Sequence, residues 1–327
     1  QRIGGIVQLL GKIADQFMDI AVPVLLWMYL YLYKRAHAKD MEQEEELPEL
    51  LDRVFRIEIP VDADWTKENL IVEKDEKEVL RAIKEAVEKD SFMVYYQPIY
   101  SAKKKRIVAA EALVRLFDDK LGFISPEKFI PLAEREGYIL KVGKFVFKEV
   151  CRFYSEENLS SKGIEYIEVN LSAVQCMQYK LAEEFIDIMK EYHILPEQMN
   201  FEITESFALA SNSVVSLNIN SFVNYGIDLS LDDYGTGYSN ISYLYRLPFQ
   251  YIKIDKSILW SADKNEKANA TLRNIFSMAK KLHLKIVMEG VETEEHVRKL
   301  LKLKCDYFQG YYFSKPVNEK KFLNYVE

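Results

Sequence analysis

The feature that most limits what this chain can become is a regular alternation between residues 91 and 326, where strand-like apolar runs take turns with amphipathic helical patterns. The spacing predicts strands at Phe92–Tyr100, Ile107–Leu116, Tyr166–Leu171, Met199–Thr204, Ile227–Asp232, Tyr251–Asp255, Leu284–Glu289 and Asp306–Phe308. Helices fit between them, among others Pro126–Glu136, Gly143–Ser155, Leu181–Tyr192, Ser213–Tyr225, Lys267–Leu282 and Glu294–Leu301. Only the short turn Ala102–Lys105 separates the first two strands, so they are expected to form an antiparallel hairpin. From there on, strand–helix alternation calls for parallel strands and right-handed crossovers. Eight strands in about 235 residues suit an α/β fold of the TIM-like (β/α)8 barrel type. An open doubly wound sheet is the alternative, but no GxGxxG turn supports it.

Composition removes several classes of function. The net charge of −7 argues against bulk attraction to a DNA or RNA duplex. The three cysteines (Cys151, Cys176 and Cys305) are odd in number and share no CxxC spacing, which argues against a disulfide scaffold or zinc knuckle and fits a reducing compartment. The four histidines are not paired at metal-ligand spacing, so zinc or histidine-triad chemistry is not expected.

Residues 1–36 stand apart. Ile20 to Tyr33 are fourteen uncharged residues followed by Lys34, Arg35 and Lys39, the flank of a cytoplasmic membrane boundary. As a helix this run spans about 21 Å, short of the ~30 Å hydrocarbon core, and extending it back to Gly4 brings in Lys12, Asp15 and Asp19. The segment fits a membrane contact, a helix of an upstream domain or a partner-binding helix. It lacks a small-residue cleavage site for a signal peptide. A start at Gln1 rather than Met is expected of a fragment or processed product. Residues 37–77, acidic around 40–52, read as a linker, with a strand-like stretch at Val54–Pro60. From Glu76 the spacing of Val79, Leu80, Ile83, Ala86 and Val87 is helical, so the main domain is placed at 78–327.

Within that domain the strand ends carry the chemistry. Glu111, Asn170, Glu202, Asp232-Asp233 and Glu289 close successive strands, Lys253 lies within another, and Gln97 and Gln309 finish the first and last. From Asn170 onward these positions are 21 to 36 residues apart, about one strand–helix unit. A barrel brings such positions to a single mouth, where barrel enzymes place their active sites. A ring of carboxylate and amide oxygens without imidazole suits a hard cation, Mg2+ or Mn2+. The adjacent Asp232-Asp233 suggests one carboxylate bridging two ions, an arrangement used in phosphodiester cleavage. Arg115 and Lys253 are the cations expected among the acids, the first to hold a phosphate oxygen and the second to hold water. Each position taken singly also has a structural reading: a helix cap or surface charge for any acid, a snorkelling lysine for Lys253, helix-dipole acids for Glu205 and Glu292, and core for Cys305. Six coinciding across successive units favour the site.

The motifs themselves resemble the EAL domain, a bacterial family of cyclic di-GMP phosphodiesterases. The resemblance covers about residues 78–326 and rests on eight motifs in register: Tyr96-Gln97-Pro98-Ile99, Glu111-Ala112-Leu113-Val114-Arg115, Val169-Asn170-Leu171-Ser172, Glu202-Ile203-Thr204-Glu205-Ser206, Asp232-Asp233-Tyr234-Gly235-Thr236-Gly237, Ile252-Lys253-Ile254-Asp255, Glu289-Gly290-Val291-Glu292-Thr293 and Gln309-Gly310-Tyr311-Tyr312. It implies a barrel with an antiparallel first strand. It implies two Mg2+ or Mn2+ ions, one held by Glu111, Asn170, Glu202 and Asp232 and the second placed by Asp232 and Asp233. Glu289 would bind metal or act as base, Lys253 would contact the attacking water, and Gln97, Arg115 and Gln309 would touch substrate or order the site. Glu205, with Glu292, would brace a loop after Asp233 that couples to a homodimer contact. The implied reaction opens cyclic di-GMP to pGpG in the bacterial cytoplasm, with anchoring at the inner membrane left to the amino-terminal segment.

Two positions depart from the family pattern. Leu116 and Tyr234 stand where aromatic residues, commonly Phe at the second, are frequent, and Leu116 removes a flat surface expected near the substrate. Arg2-Ile3-Gly4-Gly5 resembles the start of a diguanylate cyclase signature, but Ile6-Val7-Gln8 does not continue it, and no cyclase activity is expected. The competing readings are a catalytically silent cyclic di-GMP receptor and an unrelated barrel hydrolase acting on another phosphodiester. The receptor reading would be expected to come with lost ligands, and none is lost.

Overall fold

The computed structural model describes residues 65–204, 213–236, 244 and 247–326. The chain divides into two compact units, Gln1–Lys67 and Glu68–Glu327, and the second holds the strands described below and the helices apart from the first three residues of α1. The apolar segment 4–33, the stretch 54–60 and Glu205 lie outside the described residues. Among the described residues no helix is long and apolar enough to cross a membrane.

Helix α1 (Trp65–Lys89) begins ahead of Glu76, where the apolar spacing first becomes regular. Its face formed by Val79, Ala82, Ile83 and Ala86 is buried. Strands β1 (Met93–Ser101) and β2 (Arg106–Asp118) form the expected antiparallel hairpin, and a short β3 (Gly122–Ile124) extends β2. Helices α2 (Pro126–Arg135) and α3 (Ile139–Glu156) lead to β4 (Tyr166–Asn170), and the short α4 (Ala173–Cys176) and α5 (Leu181–Glu191) to β5 (Met199–Thr204). Then come α6 (Ser213–Tyr225), β6 (Asp228–Tyr234), β7 (Tyr251–Ile254), α7 (Lys256–Ala262), α8 (Glu266–Lys281), β8 (Lys285–Met288), α9 (Glu294–Lys302), β9 (Tyr307–Gln309) and α10 (Glu319–Leu323).

All eight expected strands are present. The sheet runs β1-β9-β8-β7-β6-β5-β4-β2, and the β1–β2 pairing closes it into a barrel. Both barrel neighbours of β1 are antiparallel to it, the pairs from β2–β4 round to β8–β9 are parallel, and the short β3 is antiparallel to β2. The barrel with an antiparallel first strand is therefore the observed architecture, and the open sheet is ruled out. The parts the spacing missed are short: β3, α4, α7, α10 and a single 3-10 turn at Pro196–Gln198. Short elements give too few repeats for periodicity to register.

Strand alternation fills the barrel in tiers, because every second side chain points inward. The floor is apolar and aromatic. Tyr166, Tyr251, Ile99, Ala109 and Val287 are buried together, with the Tyr166 and Tyr251 rings 5.3 Å apart and Tyr251 and Tyr307 5.8 Å apart. Two residues nearer the mouth on their strands stand Glu168, Asn200 and Ser230, all fully buried. Two further on come Asn170, Glu202 and Asp232, at the mouth. Outside the barrel, helices cover the sheet with a continuous core that includes Phe147, Phe185, Phe201 and Phe222. Leu116 belongs to that core: it is fully buried and pairs with Ile124 of β3, so its side chain serves packing rather than a substrate surface. Cys151, Cys176 and Cys305 are free and buried.

Candidate active site

Lys253 is the centre of the mouth. It sits in β7 with no solvent exposure at all, which overturns the snorkelling alternative. Its Nζ lies 3.2 Å from Glu111 Oε2, 3.3 Å from Glu289 Oε1, 3.6 Å from Asp232 Oδ1 and 3.7 Å from Glu168 Oε2, and it also contacts Glu202. Four strands, and the residue that follows β8, thus send a carboxylate to one ammonium. Burial alone would lower the lysine's pKa, but Asp232, Glu111, Glu202 and Glu289 push it well above the ordinary value.

Glu111 is fixed from two sides. Asn170 donates from Nδ2 to its Oε1 at 3.0 Å, and Gln309 donates from Nε2 to its Oε2 at 2.5 Å. Burial works to raise the Glu111 carboxyl, but Lys253, Gln309 and Asn170 together hold it below the ordinary carboxylate value. Gln309 Nε2 also reaches Gln97 Oε1 at 3.3 Å, and Gln97 donates to the Ser314 carbonyl at 3.4 Å. The two glutamines therefore close the rim where β9, β1 and β2 meet.

Asp232 and Asp233 would point to opposite faces of a regular strand. The β6–β7 register shifts between Leu231 and Tyr234, and Asp233 takes a left-handed φ of 56°. This bulge turns the second carboxylate back toward the first. Asp232, Asp233 and Glu289 each offer an oxygen within 4.8 Å of the others, a spacing that could hold a metal ion. Burial and then the neighbouring Asp232 raise Asp233 to about 6, and burial above all raises Glu289 to about 8. Asp232 and Glu202 are raised as well, mainly by burial.

The donor set fits hard divalent cations on a direct observation. Both Oε atoms of Glu202 and Oδ1 of Asp232 are buried without a directed hydrogen bond. One ammonium cannot balance five carboxylates. Glu202 Oε1 and Asp232 Oδ1 have only that shared ammonium as a partner, and a cation coordinated by oxygen alone is what would relieve such under-compensated buried carboxylates.

Two expected residues lie off this centre. Arg115 turns aside: its guanidinium donates to the Val114 carbonyl at 2.9 Å and sits 5.7 Å from the centre of the Tyr95 ring. Glu292 is exposed, just before Thr293, which caps α9, and its backbone N–H donates to His296 Nδ1 at 3.2 Å. Asp255, part of the Lys253 motif, is the N-cap of α7 and accepts from the Ser257 N–H at 2.9 Å.

Two clefts open beside the rim and share Glu111 and Leu113 as a dividing wall. One, of about 610 Å³, is lined by Arg115, Ile130, Glu134, Asn170 and Thr204. The other, of about 310 Å³, is lined by Gln97, Lys256, Trp260, Glu289, Gln309 and Tyr311. Sequence reasoning missed Lys256 and Trp260, on a seven-residue helix too short for a periodic signal, and Tyr311, which follows β9 outside any regular element. It also missed Glu168, whose signal was legible: an acid inside an apolar strand, two residues before Asn170 and so on the same face.

Residues 80–316 match the sequence profile of the EAL domain. Among curated relatives, the oxygen sensor protein DosP of Escherichia coli is 37% identical over 236 residues, which is 72% of this chain and 30% of DosP. The bifunctional diguanylate cyclase/cyclic di-GMP phosphodiesterase MucR of Pseudomonas aeruginosa is 31% identical over 250 residues, 76% of this chain and 36% of MucR. Among solved structures, the PaMucR phosphodiesterase in complex with c-di-GMP superposes with a TM-score of 0.70 at 31% identity, covering 75% of this chain and 99% of that one. The chain thus spans about a third of the length of these curated relatives.

Proposed function

The chain belongs to the EAL domain family, and on that footing we propose that it hydrolyses cyclic di-GMP to linear pGpG in a metal-dependent reaction. The observation that carries this reading is the rim itself, where carboxylates from separate parts of the chain surround one buried ammonium and several of their oxygens have no directed hydrogen bond. A relative named as a cyclic di-GMP phosphodiesterase and a related structure holding c-di-GMP support the choice of substrate. The two clefts meeting at Glu111 suit a ligand with a base on either side of a phosphodiester.

In this proposal Glu111, Asn170, Glu202 and Asp232 hold one Mg2+ or Mn2+, and Asp232 and Asp233 hold the second, with Glu289 beside them. Bound there, the ions would supply Lewis acidity to the phosphate and stabilise the attacking and leaving oxygens. The chain's own side chains do the rest. Glu289, or Asp233 next to it, takes the proton of the attacking water, and Lys253 holds the water oxygen in line with phosphorus. Arg115, at the wall of the larger cleft, offers a guanidinium fork to a phosphate oxygen. Gln97 and Gln309 keep Glu111 oriented through the bond that Gln309 makes to it. The water oxygen bonds to phosphorus, the bond from phosphorus to one 3′ oxygen breaks, and that oxygen leaves with a proton. The product carries a 5′-phosphate and a free 3′-hydroxyl.

Incubating the purified protein with cyclic di-GMP and Mn2+ and separating the nucleotides by chromatography tests the reading; pGpG is expected. Tight binding without product would make the chain a silent receptor, and preferential cleavage of a different phosphodiester would overturn the substrate. The proposal extends to a homodimer through the barrel, to the bacterial cytoplasm as the compartment and to a membrane contact by residues 4–33. Sizing chromatography and membrane fractionation test these separately.

A further inference from the structure

Of the five carboxylates around Lys253, one belongs to a different tier. Glu168 is fully buried, stands two residues before Asn170 on the inward face of β4, and has the aromatic floor of Tyr166 beneath it. Glu111, Glu202, Asp232 and Glu289 are at the rim, the set that bound cations would engage. Glu168 stands opposite Glu111 in the β2–β4 register but one pleat short of Asn170, the rim residue of its own strand, and its Oε2 is 3.7 Å from Lys253 Nζ.

Its other oxygen is held from the side. Ser230 Oγ donates to Glu168 Oε1 at 3.2 Å and lies 3.1 Å from Asn200 Oδ1. A hydroxyl has one proton, so it cannot donate to both. Burial raises the Glu168 carboxyl and the Lys253 ammonium opposes that; facing this ammonium, Glu168 serves as the acceptor, so it takes the Ser230 proton and the Asn200 amide turns its nitrogen toward Ser230. That turn also gives the buried Asn200 nitrogen, otherwise without a partner, an acceptor. The result is a directed line from Asn200 through Ser230 to Glu168 and on to Lys253, each member two residues before a rim residue or, for Lys253, at the rim itself.

We propose that Glu168 is a positioning residue: from the tier below the rim it anchors the Lys253 ammonium while the rim carboxylates serve the bound cations. A lysine on a flexible four-carbon stem needs such a fixed counter-charge to keep Nζ on the attacking water. This inference rests on the proposed hydrolysis for its kinetic consequence but not for the pairing itself.

The test uses the full chain with Glu168→Gln, Glu168→Asp, Lys253→Met and the Glu168→Gln/Lys253→Met double variant. Without metal, Lys253→Met leaves Glu168 buried beside no ammonium and lowers the melting temperature; adding Glu168→Gln recovers about 3 °C or more of that loss. With cyclic di-GMP and Mn2+, Glu168→Gln lowers kcat by about 10–100-fold with KM unchanged, Glu168→Asp recovers part of it, and the double variant is no slower than Lys253→Met alone. Mn2+ affinity measured by calorimetry is the same for Glu168→Gln as for the unmodified chain. Additive melting losses, an unchanged kcat, or a kcat loss that follows weakened Mn2+ binding would each overturn the assignment. The melting cycle needs no substrate, so absence of pGpG formation would remove the proposed function while the pairing was still read.

Discussion

Asp232 and Asp233 are consecutive residues of one strand, yet each offers a carboxylate oxygen within 4.8 Å of the other's. The bulge opposite Ile252 and Ile254 and the left-handed φ of 56° at Asp233 make this possible. Asn and Asp tolerate that backbone conformation better than other residues with a Cβ. Asp233→Asn should therefore keep the bulge and the melting temperature while losing a negative ligand. Turnover is expected to fall by more than about 100-fold, with weaker Mn2+ binding. Asp233→Ala should show the same loss and, in addition, a destabilisation of about 1 kcal/mol from backbone strain. Thermal melts of the two variants side by side separate the effects; equal melting temperatures would contradict the role given to the backbone.

The metal-free protein should lose stability as pH rises. Glu289 is raised to about 8 and Asp233 to about 6, above the values of an exposed carboxyl. A carboxyl whose folded pKa is raised contributes stability that is fully present below its unfolded pKa and is lost as pH climbs through the folded value. The loss is thus expected between about pH 4 and 8 in chelator. Cation binding needs the deprotonated acids, so Mn2+ affinity should rise over the upper part of the same window. Melting curves against pH with chelator and with Mn2+ should diverge as pH increases; parallel curves would contradict the linkage.

Glu111 is held at the rim by three side chains: Asn170 at 3.0 Å, Gln309 at 2.5 Å and Lys253 at 3.2 Å. Glu111→Gln keeps the volume but removes the charge. Turnover should drop by more than about 100-fold, with weakened Mn2+ binding. The metal-free melting temperature should fall as well, since the amide loses the ion pair to Lys253 and turns an NH2 toward one of the donors Asn170 and Gln309. A kinetic loss without weakened binding would argue against Glu111 as a ligand.

Gly310 follows Gln309 where two backbones nearly touch. A Cβ there would run into the backbone N and O of Val291, and the Val291 N–H donates to the Gln309 carbonyl at 3.1 Å. The backbone has no rotamer with which to yield. Gly310→Ala is expected to cost about 1–3 kcal/mol in denaturant unfolding, with reduced turnover through displaced Gln309. An unaltered unfolding midpoint would refute the close packing.

Replacing Mn2+ by Ca2+ should give binding without turnover. Ca2+ takes about 6–8 oxygens at longer distances and tolerates irregular shells, so it would satisfy the unpaired carboxylates but misplace the reacting groups. Calorimetry showing Ca2+ binding together with an assay showing no pGpG is the expected pair of results. Full turnover in Ca2+ would discount the geometry.

How much was legible in the letters follows from which signals are periodic. The strands from Phe92 to Phe308 show up because long apolar runs repeat in register with helices, and the rim residues Glu111, Asn170, Glu202, Asp232 and Glu289 because each follows an apolar run in a strand of its own. The lower tier was half-legible: Glu168 lies on the same strand face as Asn170, but an acid in an apolar strand reveals nothing about its partner on β7. Trp260, Tyr311 and the short helices had no period to announce them.

The order of strands, the inward parity of each and the kind of chemistry were thus determined by the sequence, since alternation of apolar and polar side chains dictates which face is buried. Only the closed tertiary structure decided the rest: that Lys253 sits at the focus of five carboxylates, that Arg115 turns toward Tyr95 rather than into the ring, and that Asp233 bends back beside Asp232. Those are distances between residues far apart in the chain, or a backbone twist at one bulge, and closing the β1–β2 seam is what sets them.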